Sequence, residues 1–159
     1  MTRIGIGYDS HRFAPPGPMI LGGVTIESDV RLAGHSDGDA MAHAVTDAIL
    51  GASALGDIGQ LYPDQDPANE NRDSIEMLRA ALTRVHAAGW RVQQVDITVI
   101  TEYPRLGAYR EAMRECLAEA LDVPSADVSI KGKSNEGMGW IGRGEGLACL
   151  ATATVVPRT

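Results

Sequence analysis

The chain lacks an excess of positive charge. Its 14 lysines and arginines stand against 21 aspartates and glutamates, a formal net charge of -7, whereas binding nucleic acid needs a basic face. It also lacks an apolar run long enough to cross a membrane. Met1-Thr2-Arg3 passes straight into a strand-like pattern rather than an apolar signal stretch, so a cytoplasmic setting is expected. Cysteines number only two. Cys116 falls in a helical pattern and Cys149 in a strand pattern, and both read as buried thiols in a reducing compartment, with a single bridge left open. There is no internal repeat or linker. Ser10 beside His11 has no elbow motif, and neither cysteine has an evident histidine partner, so a nucleophilic triad is missing. The Gly-x-x-x-x-Gly-Lys-Ser/Thr order of a P-loop is missing too. An acidic chain can still bind phosphates where a metal and a few local cations gather at one site.

What is present is a chain of 159 residues, 44% of them hydrophobic, the size of one domain over 1–159 with a sizeable core. Ile4, Ile6 and Tyr8 alternate with Gly5, Gly7 and Asp9, the period of a strand. Asp9 and His11 continue the glycine face, where missing side chains are expected to leave room for a ligand. Pro15-Pro16-Gly17-Pro18 forces a loop, and Gly22-Gly23 between Met19–Leu21 and Val24–Ile26 reads as a hairpin turn. Helical periodicity predicts a helix from about Asp37 to Ala54, facing Met41, Val45, Ile49 and Ala52 inward. A second helix, capped by Asp73 or Ser74, buries Ile75, Leu78, Leu82 and Val85 and ends at Gly89. Pro104 is expected just before a third, which buries Leu106, Tyr109, Met113, Leu117 and Leu121 and leaves Glu111, Glu115 and Glu119 in water. Val92–Ile100, Val128–Ile130 and Leu147–Val156 read as strands. The expected architecture is α+β: a mixed sheet of about four main strands with helices on one face. The other face would be bare, with Ala148, Ala151 and Ala153 admitting another subunit there.

The chemistry gathers around His35-Ser36-Asp37-Gly38-Asp39-Ala40-Met41-Ala42-His43. Ser36 or Asp37 serves as N-cap, Asp39 falls in the first turn, and open backbone N–H groups at such a start suit a phosphate. His43 on the helix and the strand pair Asp9 and His11 provide three ligands and leave a fourth position open, the pattern of catalytic zinc. By spacing alone, packed or surface histidines fit these positions as well. Asp39 or Asp47, one turn to either side of His43, is placed to orient its ring or simply faces water. His35 would stabilise charge on a transferring phosphoryl group, or close the preceding loop.

Two loops complete the picture. Residues 61–72, rich in proline and polar side chains, read as a lid or an ordinary surface loop. Residues 131–146 mix glycines with Lys133, Ser134, Asn135, Glu136 and Arg143, which suits phosphate, and Glu136 suits a hard cation such as Mg²⁺ or Mn²⁺.

Taken together these segments resemble the 2-C-methyl-D-erythritol 2,4-cyclodiphosphate synthase family over essentially the whole chain. Gly7-Tyr8-Asp9-Ser10-His11 is similar to its N-terminal motif, and Ser36–Ala44 to its signature, with Ala40 where valine is commoner. Asp57-Ile58-Gly59 and Tyr62-Pro63-Asp64-Gln65-Asp66-Pro67 match its substrate loop, and Gly142–Gly146 its C-terminal motif. The resemblance implies a homotrimer, packed sheet against sheet, with active sites between subunits. It implies Zn²⁺ on Asp9, His11 and His43 and Mg²⁺ or Mn²⁺ on Glu136. It implies a lyase that cyclises CDP-methylerythritol 2-phosphate and releases CMP.

The same resemblance assigns roles. His35 and Ser134 would stabilise the transition state, and Ser36 would bind phosphate. Asp57 and Gly59 would bind the methylerythritol end, and Ile58, Tyr62, Pro63, Asp64, Gln65 and Asp66 would also bind substrate. Thr101, Pro104, Arg105, Leu106, Gly132, Lys133 and Asn135 would hold the cytidine diphosphate from a neighbouring subunit, with Trp140 and Arg143 completing the set. Lys133-Ser134 stands where the family has Thr-Thr, Arg105 where it has lysine, and Trp140 where phenylalanine is commoner. A zinc phosphodiesterase that uses water, and a trimeric sensor with a structural metal, are the other readings of these residues.

Overall fold

The period-two pattern at the N-terminus becomes β1, Arg3–Ala14. It is followed by the hairpin strands β2, Met19–Leu21, and β3, Val24–Ile26, and by the short β4, Arg31–Leu32. Helices α1, Ala40–Ala52, α2, Ile58–Leu61, and α3, Ser74–Ala87, come next. They precede β5, Trp90–Ile100, α4, Arg110–Leu121, β6, Val128–Lys133, α5, Gly139–Gly142, and β7, Gly146–Pro157. The structure, a computed structural model, describes residues 1–159.

The main sheet runs β4-β1-β7-β5-β6, antiparallel except for the parallel β5–β6 pair. The four long strands are those expected, and β4 adds a fifth that two residues were too few to announce. Gly22 and Gly23, at φ of 59° and 72°, make the two-residue turn between β2 and β3, a left-handed pair that suits a hairpin.

Helix α1 lies on β1 and β7, with α3 packed against it and α4 over β6. All of α1 except Asp47 and Gly51 is buried, because it is covered by the sheet on one side and α3 on the other. Met41, Ile49, Leu50, Leu78, Leu117 and Leu121 are among the fully buried side chains, each stabilising the fold by roughly 1.5–3 kcal/mol.

The glycine face of β1 is closed by a helix, not open to a ligand as its missing side chains suggest. A Cβ on Gly5 would lie 2.0 Å from the Ala48 carbonyl oxygen, so the space is taken by α1 rather than by a ligand. The glycines let helix and strand backbones touch. The apolar residues of β1 point the other way: Ile4 is 74% exposed, Ile6 67% and Tyr8 54%. Facing the same way on β7 are Leu150, Thr152 and Thr154, so the bare face of the sheet is apolar along β1 and its edge with β7. Ala151 and Ala153 were expected there, but their parity with Val155 and Cys149 turns them into the core. Ala148 is buried as well.

Helix α1 begins later than its pattern predicts. Asp39 is its N-cap, accepting from Ala42 N at 3.0 Å, and the same carboxylate accepts from Gly22 and Gly23 N at 2.8 and 2.7 Å. That carboxylate fills the place an anion would take at this helix start. Helix α4 begins at Arg110, beyond Pro104, because Leu106–Tyr109 form a turn first. Leu106 is buried all the same.

Candidate active site

Asp9 and His11 share one side of β1, and α1 brings His43 down beside them. Because Gly7 lets Ala44 of α1 sit directly on the strand, His43 one residue earlier lies over Asp9. Asp9 Oδ2 is 2.9 Å from His11 Nδ1 and 3.3 Å from His43 Nδ1. The three candidate ligand atoms all lie within 4.8 Å of one another. Asp9 Oδ2 and His11 Nδ1 are buried, close together, and without a hydrogen bond of proper geometry. Three Lewis bases gathered this closely fit a cation, and one carboxylate with two imidazoles is a zinc-type donor set. The residues therefore fit the metal that the sequence implied.

Electrostatics agree with that grouping. Burial alone would push the Asp9 carboxyl up, but the close approach and charge of the His11 and His43 rings hold it below its usual value. Burial would pull His43 down, yet Asp9 overcomes it and holds the imidazole above its usual value.

The far nitrogen of His43 is held by hydroxyls. Its Nε2 lies 2.8 Å from Ser74 Oγ and 3.1 Å from Ser36 Oγ. Neither Asp39 nor Asp47 orients this ring, which was one of the two readings that helix spacing leaves open. Asp39 is taken by the hairpin, and Asp47 accepts the Ile58 backbone N–H at 2.8 Å. The sequence pattern offers Ser74 only as a possible helix cap. Asp73 is the cap, and Ser74, fully buried, turns inward instead.

A cleft of about 330 Å³ opens beside the triad, lined by Asp9, His11, His35, Ser36, His43, Ile58, Gly59, Tyr62 and Asp64. Gly34, Asn69 and Met77, which carried no chemical signal in the sequence, line it too. Asp57 caps α2 through Gln60 N at 2.9 Å and so sets the position of Ile58 and Gly59. Pro63, Gln65 and Asp66 lie in the exposed loop beyond Tyr62. The loop is tied to the site: Asn71 N donates to His35 O at 2.8 Å, Asn69 Nδ2 to Pro63 O at 3.0 Å, and His35 Nε2 lies 3.4 Å from Asp66 O. The Arg72 guanidinium lies 4.9 Å from the centre of the Tyr62 ring.

The remaining predicted residues gather elsewhere in the chain. A second cavity, about 600 Å³, is lined by Thr101, Pro104, Arg105, Leu106, Gly132, Lys133 and Ser134, with no residue in common with the first. It lies beyond the C-terminal ends of the parallel pair β5–β6, where Thr101 N donates to Lys133 O at 2.8 Å. Asn135 and Gly137 N–H groups converge on Glu102 Oε1 at 3.0 and 3.2 Å. Glu136 is exposed at a φ of 54° and stands outside the Asp9–His11–His43 group. Trp140 shares a third cavity with Ser10, His11, Arg12 and Glu145, and Arg143 pairs with Glu145 at 2.6 Å.

Comparison with known proteins identifies the family. The model of the YgbB family matches residues 2–156. The 2-C-methyl-D-erythritol 2,4-cyclodiphosphate synthase of Gemmatimonas aurantiaca is 62% identical over 156 residues, which is 98% of this chain and 94% of the relative. Among solved structures, the IspF of Plasmodium falciparum in complex with CDP superposes with a TM-score of 0.86 at 32% identity, over 99% of this chain and 97% of that one. The bifunctional IspDF of Campylobacter jejuni gives a TM-score of 0.94 at 40% identity; 98% of this chain corresponds to 42% of that longer one.

Proposed function

The chain belongs to the YgbB family, and from that premise we propose that it is a phosphorus–oxygen lyase that cyclises 4-CDP-2-C-methyl-D-erythritol 2-phosphate to the 2,4-cyclodiphosphate and releases CMP, a step toward isoprenoid precursors. The observation that carries this reading is the convergence of Asp9, His11 and His43 on the wall of a cleft that His35 and Ser36 also line.

The chemistry asks little of the protein beyond placement. An oxygen of the substrate's own 2-phosphate attacks the β-phosphorus, the bond from that phosphorus to the bridging oxygen breaks, and its electron pair leaves with CMP. The nucleophile is already an anion. The leaving group is a phosphate monoester with a second pKa of about 6, so it departs without a general acid. What remains is to hold the phosphates in line and to neutralise the charge that builds on the transferring group. The absence of a nucleophilic triad is what such a reaction leads one to expect.

The residues divide that work. Asp9, His11 and His43 would hold Zn²⁺, and Glu136 a second divalent ion such as Mg²⁺ or Mn²⁺; bound there, these ions supply Lewis-acid neutralisation of phosphate oxygens. His35 offers a ring N–H at the cleft, and Ser36 a hydroxyl, for the phosphate nearest the triad. Asp57, which fixes Ile58 and Gly59, would set them against the methylerythritol end, and Tyr62 and Asp64 line the same cleft. Pro63, Gln65 and Asp66 would shape the loop that closes this end.

The cavity of Thr101, Pro104, Arg105, Leu106, Gly132, Lys133 and Ser134 fits the cytidine diphosphate. Asn135 is tied to Glu102 on its lining, and Trp140 and Arg143 would complete the set from outside it. Because one chain keeps the two cavities apart, the substrate bridges them when a neighbouring subunit supplies the second. The apolar bare face along β1 is the surface on which three chains would pack, giving a cytoplasmic homotrimer of single-domain subunits.

Phosphorus NMR of the substrate with enzyme, with and without a chelator, tests the proposal. Metal-dependent formation of CMP together with a coupled pair of cyclic diphosphate resonances is expected. CMP accompanied only by linear phosphates would replace the lyase with a water-using phosphodiesterase.

A further inference from the structure

Three groups form a line leading away from the candidate metal ligands: His43 Nε2, Ser74 Oγ and the Asp37 carboxylate. Ser74 Oγ lies 2.8 Å from His43 Nε2 and donates to Asp37 Oδ1, while Asp37 Oδ2 accepts the Ser74 backbone N–H at 3.0 Å. Asp37 is itself held in place: Asp39 N donates to its Oδ1 at 3.0 Å, and its own N–H donates to Arg72 O at 3.2 Å. Ser74 is fully buried, so no water competes for its one proton.

The directions of these bonds follow from counting protons. An ionised carboxylate only accepts, and a hydroxyl has a single proton to give. Ser74 gives its proton to Asp37, so Ser74 Oγ can only accept from His43, and the imidazole must carry its proton on Nε2. A neutral ring protonated there has its lone pair on Nδ1, the nitrogen that faces Asp9 at 3.3 Å.

We propose that Ser74 and Asp37 are positioning residues that lock His43 in the Nε2-protonated form, so that Nδ1 is presented as a metal ligand. The inference rests on the metal reading of Asp9, His11 and His43. Neither residue touches substrate or metal; both act through the ring. Ser36 Oγ, on the cleft side of the same nitrogen at 3.1 Å, is thereby left free to turn its proton toward a phosphate.

The test is a Zn²⁺ titration against a chromophoric chelator on the full chain, in wild type, Ser74→Ala, Ser74→Thr, Asp37→Asn and His43→Ala. Nitrogen NMR of the histidine rings in the zinc-loaded wild type accompanies it. Loss of the hydroxyl in Ser74→Ala is expected to weaken zinc by about 10- to 100-fold, the usual effect of removing a partner behind a ligand. Ser74→Thr, which keeps the hydroxyl, should restore binding, and the wild-type His43 ring should read as protonated at Nε2 and metal-bound at Nδ1. Zinc retained in His43→Ala would overturn the metal reading itself. Zinc lost in His43→Ala but unchanged in Ser74→Ala, or a ring bound through Nε2, would overturn the relay alone. Should Ser74→Ala fail to fold by circular dichroism, the wild-type ring assignment decides the matter.

Discussion

Tyr8 of β1 stands directly across the ladder from Leu150 of β7, and both project from the face of the sheet that no helix covers. With Ile4 and Ile6 beside them, they form an apolar strip that one chain leaves in water. Replacing Ile6 by aspartate places a charge in the centre of that strip. Light scattering should find the wild type at three times the 16.9 kDa of one chain and Ile6→Asp at a single chain, with turnover lost because the two cavities no longer meet. A catalytically active single chain would refute the intersubunit site.

Removing a first ligand should separate folding from catalysis. His11→Ala takes away one donor at the cleft wall while leaving the buried layer between sheet and helices intact. Its thermal unfolding is expected to match that of the metal-free wild type, while zinc affinity falls by more than about 100-fold. Turnover at saturating substrate should fall with it.

Ser134 lines the second cavity, together with the cationic side chains of Lys133 and Arg105. If its hydroxyl meets charge that develops in the transition state, Ser134→Ala lowers kcat by about 10²- to 10³-fold with little change in KM. A rise in KM alone would make Ser134 a residue of ground-state binding.

The metal-free protein should have a stability window set by the triad. Asp9 is held below its ordinary value near 3.8, so its contribution exists above that value and is lost as pH falls through the lower folded one. His43 is held above its ordinary value near 6.5, so its contribution is complete below that value and lost as pH rises through the higher folded one. Chelator-treated protein is therefore expected to melt highest between these two limits. Metal added above the upper limit should restore the melting temperature, since the cation replaces the proton between His43 and Asp9.

Gly7→Ala is expected to destabilise the fold by about 3 kcal/mol. A Cβ there would sit 1.8 Å from the Ala44 carbonyl oxygen, and a backbone atom cannot step aside as a side chain does. Chemical denaturation measures the loss, and zinc affinity should drop as α1 is pushed from the strand.

Much of this was legible in the residues. Period-two and helical patterns located the four long strands and three long helices, because core-facing aliphatic residues recur at those spacings. Asp9, His11 and His43 were legible through type and spacing. The glycines of β1 were misread, since a bare position looks the same whether a ligand or a helix fills it. Asp39 was placed inside the helix because its hydrogen bonds to Gly22 and Gly23 join residues distant in sequence. Ser74 was invisible as a partner of His43 for the same reason, at a separation of 31 residues. Ala151 and Ala153 were assigned to the wrong face because small residues suit either a tight core or a close subunit contact.

Gly5 and Gly7 also act as detents for strand register. A slide of β1 by two residues, about 7 Å, would preserve its alternation and most ladder bonds. It would also drive Arg3 or Asp9 into the backbone of α1, where only a hydrogen fits. Only one register therefore assembles the helix on the strand, and in that register Asp9 and His11 come to rest beneath His43. The spacing of the ligands is in this sense measured out by two residues that bind nothing.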